Sequence, residues 1–280
     1  MILKDTNELK ELLISEFQRN LLQASLDNIN NSSNKLRFNN FAYSMRELSR
    51  HLLHSLSSDQ DVLDCSWYEN ETSKPNGISR GQRIKYAIQG GLEDSFVDSE
   101  LVEITTINAI KKKLKGSIDL LSKYTHVNPN TFDIPDMEMI RLSEEVMKHL
   151  IEFAKTIIES RQMIISEIEE KINDEFIQHS INETIDEVDI LATHHNTEEI
   201  SVDHTGISKI LSDRILIDVE GFVRVRLQWG SNSDLKNDNG AEMYDSFPYN
   251  GTVEVKLNGS FEYAEVSIAN FDVNTDSWYE

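Results

Sequence analysis

The chain has 280 residues, 39% of them hydrophobic and 27% charged, and a formal net charge of −22. That length buries one large core or two modest ones, and so acidic a chain is a poor general nucleic-acid binder, because its field repels phosphate at long range. Its one cysteine, Cys65, rules out an intramolecular disulfide and fits a reducing compartment, the cytoplasm.

The first residues, MILKDTNELKELLISEF, carry charges every few positions, so no signal peptide is expected. From there the pattern is helical. Leu9, Leu12, Leu13, Phe17, Leu21 and Leu22 recur at steps of three and four, predicting one helix that ends at the turn-forming NINNSSNK. A second helix is expected over roughly 36 to 57. The polar loop SWYENETSKPNGISRGQR follows, and Ser79 is placed to cap a helix that Gly90 and Gly91 would end. A further helix is expected over about 100 to 124, then a loop carrying Pro129 and Pro135.

From Asp136 through Thr205 there is neither glycine nor proline. Ile157, Ile164, Ile165, Ile168, Ile172, Phe176, Ile181, Ile185 and Val188 form an apolar stripe, read as one long helix or two broken near Asn173 or Asn182. Such a stripe needs a covering surface. The preceding helices would serve, or the same helix of a second copy, which would make a homo-oligomer.

After about residue 197 the period becomes two. Val223, Val225, Leu227 and Trp229 alternate with Arg224, Arg226 and Gln228, and TVEVKLNG and YAEVSIANF alternate likewise. With RILIDVEG these read as four short strands of an antiparallel sheet wet on one face. The expected class is therefore α+β, with an N-terminal helical domain at 1–196 and a small antiparallel β-domain, a sandwich or curled sheet, at 197–280. No run of about 18 apolar residues occurs, so no membrane span is expected.

The stretch RELSRHLLH, residues 46 to 54, concentrates two arginines and two histidines. On a helical wheel at about 100° per residue, Arg46, Arg50, His54 and His51 share one face and Phe41, Met45, Leu48, Leu52 and Leu56 the opposite one. A solvated helix face explains this, with Glu47 and His51 paired one turn apart. Chemistry explains it too. Imidazole is suited to proton transfer near neutral pH, and guanidinium to holding phosphate and stabilising charge on phosphorus. A ribonuclease whose RNA supplies its own 2′-OH nucleophile needs those groups and no metal. The charge map permits it: between Lys35 and His126, 13 Lys and Arg stand against 12 Asp and Glu.

Arg46-Glu-Leu-Ser-Arg-His51 resembles the Arg-x4-6-His motif of HEPN domains, all-α domains that include metal-independent RNases of toxin and anti-phage systems. The resemblance implies Arg46 and His51 as the motif pair, often joined across a dimer. Glu47 stands where those domains commonly carry another polar residue, and its charge opposes an incoming phosphate. The wider layout of SMRELSRHLLHSL, CSWYENET, GISRGQRIKYAIQGGL, YTHVNPNTF, LATHH, LQWGSNSDL and SFPY resembles the predicted pPIWI-associating nucleases, found beside Argonaute-like proteins in bacterial defence loci. That likeness implies a nuclease and a pPIWI or Argonaute-like partner.

Arg46, His51, Arg50 and His54 are thus the candidate catalytic residues. Arg80, Arg83, Lys123, His126 and Trp67 are the candidate RNA-binding ones. Arg80 and Arg83 open a helix whose N-terminus attracts anions; Lys123 and His126 sit at a helix end, where basic groups also serve the dipole; Trp67 packs or stacks on a base. His194 and His195 invite a metal reading, but neighbouring positions on a helix diverge, so neither a metal nor any other cofactor is expected. A non-catalytic regulatory or interaction subunit of a defence complex remains the alternative, favoured by the net charge.

Overall fold

The computed structural model describes residues 7–279, so the reading of residues 1–6 lies outside the described residues. The fold is α+β: helices first, then a four-stranded antiparallel sheet. The chain forms two compact units, 1–162 and 163–280, whose division falls inside the longest helix.

In the first unit, α1 (Asn7–Glu11) and α2 (Glu16–Asn30) replace the single helix expected from the leucine spacing. Ser15 causes the break. Its hydroxyl accepts from the Gln18 amide while the Gln18 side chain accepts from the Ser15 N–H, a reciprocal cap that starts a new helix. Phe17, expected in the core, is 56% exposed. Helix α3 (Arg37–Leu56) follows, then α4 (Asp59–Leu63), α5 (Arg80–Gln89), α6 (Asp94–Glu100), α7 (Ile104–Tyr124) and α8 (Asp136–Asn182). Phe41, Met45, Leu48 and Leu52 of α3 are fully buried, together with Ile84 of α5, Leu121 of α7 and Phe153 and Ile157 of α8. Ser79 makes the same reciprocal cap with Gln82 at the start of α5, and Gly90 ends that helix at φ 61°.

The second unit holds the remainder of α8, α9 (Asp186–Asp189) and the strands β1 (His194–Ile210), β2 (Arg214–Trp229), β3 (Ala241–Lys256) and β4 (Glu265–Val273), with the short α10 (Asn232–Lys236) between β2 and β3. They form a single meander in the order β1-β2-β3-β4, one sheet rather than two facing sheets among the described residues. The odd-numbered apolar positions of β2 and β3 make the buried face: Ile215 pairs with Val255, Ile217 with Val253 and Val223 with Phe247, all 0% exposed. Ile164, Ile168, Ile172 and Phe176 lie four residues apart on α8 and are likewise fully buried, with the Phe176 ring 5.2 Å from Tyr249 and 5.9 Å from Phe271. Lys171 ties the same helix to the β3–β4 connection, donating to the carbonyls of Phe261, Glu262 and Ala264 at 3.1, 2.7 and 2.8 Å.

Two expectations about the strands need correction. RILIDVEG and GFVRVRLQW are one continuous strand through Gly221, and the remaining strand is β1, from a segment expected to be helical as far as 195. His194 and His195 therefore lie on a strand, where neighbours point to opposite faces. His195 bonds Asp189 at 3.2 Å. No helix among the described residues is long and apolar enough to cross a membrane.

Candidate functional site

A cavity of about 460 Å³ opens among α3, α5 and α7. Helix α3 contributes Arg46, Glu47, Arg50, Leu53 and His54; the start of α5 contributes Arg80 and Arg83; Ile78 and Ile118 complete it. Local sequence explains the convergence. The apolar spacing of α3 turns one face inward and leaves the basic face outward, and the Ser79 cap starts α5 so that Arg80 and Arg83 fall in its first two turns.

Each guanidinium has an acidic neighbour. Glu47 accepts from Arg46 at 2.8 Å and from Arg50 at 3.0 Å. Arg80 pairs with Asp119 at 3.1 Å. Arg83, with only 9% of its side chain exposed, donates to the Ser57 carbonyl at 2.6 Å and to Asp59. The hydrogen bond from Arg46, joined by Arg50, holds the Glu47 carboxyl below the usual range despite its burial. His54 is shifted downward as well, first by burial and then by the charge of Arg83, with Asp59 opposing. That shift favours the neutral imidazole, the form able to take a proton.

The other candidate residues are placed differently. His51 does not line the cavity. Its ring meets Phe17 edge-on at 5.0 Å, and its Nε2 lies 3.0 Å from the Arg50 guanidinium, which does line it. Trp67 packs with Val62, Cys65 and Tyr86; its indole N–H donates to the Gly90 carbonyl at 3.1 Å and Lys85 lies 4.4 Å from its ring centre. Burial pushes the neighbouring Cys65 thiol up to about 12, so it stays protonated. Lys123 stacks on Tyr124 and His126 is exposed in the following loop; neither reaches the cavity.

Sequence reasoning passed over the apolar floor of Leu53 and Ile118, each 3% exposed, and over Ile78. On a wheel Leu53 flanks the hydrophobic arc and reads as core; only the position of α5 and α7 makes it a cavity wall. Among the described residues, no group of three or more His, Cys, Asp or Glu side chains is arranged to hold a metal ion.

Fold and site together define a two-unit α+β protein with an arginine-lined cavity in its helical unit. The chain belongs to the predicted pPIWI-associating nucleases: one family model of that description matches residues 10–150 and a second matches residues 157–279. The first match contains every residue of the cavity. No match was found among curated proteins or among solved structures.

Proposed function

We propose that the cavity on α3 is the active site of a metal-independent endoribonuclease acting in anti-phage or toxin-like defence. The carrying observation is the convergence of Arg46, Arg50, Arg80 and Arg83 with the His54 imidazole on one concave site, in a chain of a nuclease family. In this reading the arginines hold the scissile phosphate and stabilise the charge that grows on its oxygens. His54 takes the proton of the 2′-OH, and that oxygen attacks the adjacent phosphorus. The bond to the 5′-oxygen breaks, the leaving oxygen takes a proton from water, and a 2′,3′-cyclic phosphate remains. His51, the histidine of the HEPN-like motif, acts through Arg50, which it touches at 3.0 Å. A pPIWI-type protein is the partner that the family description suggests. Self-association through α8 belongs to the same proposal, on the exposed Met163, Ile177 and Ile181, since the buried stripe is already covered within the chain.

The test is cleavage of RNA in EDTA. Wild type should generate cyclic phosphate ends, His54→Ala should lose about a hundredfold or more, and His51→Ala should lose less. Cleavage that survives His54→Ala overturns the assignment of the base. The non-catalytic reading is favoured by one observation: every arginine of the cavity already has a carboxylate beside it. Absence of cleavage by the full chain with its partner would select that reading.

A further inference from the structure

Tyr43 stands on the basic face of α3, 56% exposed, one turn before Arg46. Tyr43, Arg46, Arg50 and His54 recur at steps of three and four, so they form one stripe about 16 Å long. The Arg46 guanidinium carbon lies 5.9 Å from the centre of the Tyr43 ring, which brings an exposed aromatic face beside the first cation of the cavity. At the other end, the cavity is not polar throughout. Beneath its arginine rim lie Leu53 and Ile118, both 3% exposed, with Ile78 beside them. A site for a bare phosphate needs donors alone. An exposed aromatic ring and an apolar floor on either side of an arginine pair fit a ligand that alternates charge with flat apolar surface, as a polynucleotide does.

We infer that Tyr43 and the Leu53–Ile118 floor are two base-binding positions flanking the Arg46–Arg50 phosphate site, so that the stripe grips the bases of an unpaired strand as well as its backbone. The inference rests on the anion-site reading proposed above. A volume of about 460 Å³ is within the range of pockets that enclose a small organic ligand. A base held in a duplex has both faces stacked and can offer neither to the floor nor to Tyr43 without leaving the helix. An acidic peptide would use the arginines and leave the ring and the floor unexplained.

The experiment is fluorescence anisotropy with the full chain and a labelled 2′-O-methyl octaribonucleotide, which binds but has no 2′-OH to react. The comparison ligands are the same octamer with abasic positions throughout, the same sequence as a blunt duplex, and polyglutamate of equal charge as competitor. The intact single strand should bind about tenfold more tightly than the abasic one or the duplex. Tyr43→Ala should weaken the intact strand by about fivefold or more, the loss of one stacked base, with the abasic strand unaffected and Tyr43→Phe restoring the wild-type value. In Tyr43→Ala the intact octamer should still bind more tightly than the abasic one, because the floor remains. Equal binding of intact and abasic strands, or displacement by polyglutamate as effective as by RNA, overturns the inference and leaves the anion site standing. Failure of every polyanion to bind overturns both.

Discussion

Phe176 of α8 lies over Gly251 of β3: a Cβ at position 251 would stand 3.2 Å from the phenyl Cζ and 3.1 Å from the Asn270 carbonyl oxygen. The missing side chain lets the helix settle on the sheet. Gly251→Ala asks a packed ring and a backbone carbonyl to yield, and the cost of such overpacking is about 1 kcal/mol or more. Thermal denaturation followed by circular dichroism should show a Tm lower by a few degrees. An unchanged or raised Tm would contradict the packing described.

Glu47 occupies two guanidinium groups that an incoming phosphate would use. Glu47→Gln keeps the side-chain shape and removes the competing charge. Phosphate or oligonucleotide should then bind about two- to fivefold more tightly, the worth of a partly exposed ion pair, with the gain shrinking as salt rises. Isothermal titration at two ionic strengths would measure it, and weaker binding in the variant would show that Glu47 supports the site instead of opposing it.

The downward shift of His54 fixes the expected pH dependence. Because burial and the charge of Arg83 disfavour the protonated imidazole, the acid limb of the kcat/KM profile should fall below the ordinary imidazole value. Asp59 favours the charged form, so Asp59→Asn should move the limb to still lower pH. An unmoved limb in that variant would mean that another group controls the rate. The same shift bears on folding. The unfolded chain takes up the proton at the ordinary value and the folded one resists, so this group costs stability as pH falls through that value and nothing above it.

If copies associate through the outer face of α8, static light scattering at micromolar concentration should give at least twice the chain mass. Ile177→Lys and Ile181→Lys change exposed positions, 44% and 70% accessible, and should return the monomer without lowering Tm. A monomeric wild type would remove self-association from the proposal.

The elements with regular amphipathic spacing were legible in the sequence: α3, α5 and α7 lie near where their apolar periods place them, and β2, β3 and β4 follow the alternation of Val223, Val253 and Val266 with polar neighbours. Strand β1 was not legible. It pairs on one side only, is interrupted by three register shifts, and keeps most of its side chains partly or fully exposed, so no alternation survives. The break at Ser15 was hidden because leucines continue across it. The basic face of α3 could be read from spacing, and Arg80 and Arg83 from their place at a helix start. That His54 and not His51 faces the cavity depends on where α5 and α7 lie, which no local pattern records.

Gly221, at the centre of β2, would place a Cβ 1.9 Å from the Ser201 carbonyl oxygen and 2.9 Å from the Tyr249 hydroxyl. Tyr249 passes over that gap from β3 and donates to the Ser201 carbonyl of β1 at 3.0 Å, lacing three strands at one point. The sheet is therefore a single piece of fabric around residue 221, and a reporter or an affinity tag belongs in its hairpin turns, where a cut leaves this stitch intact.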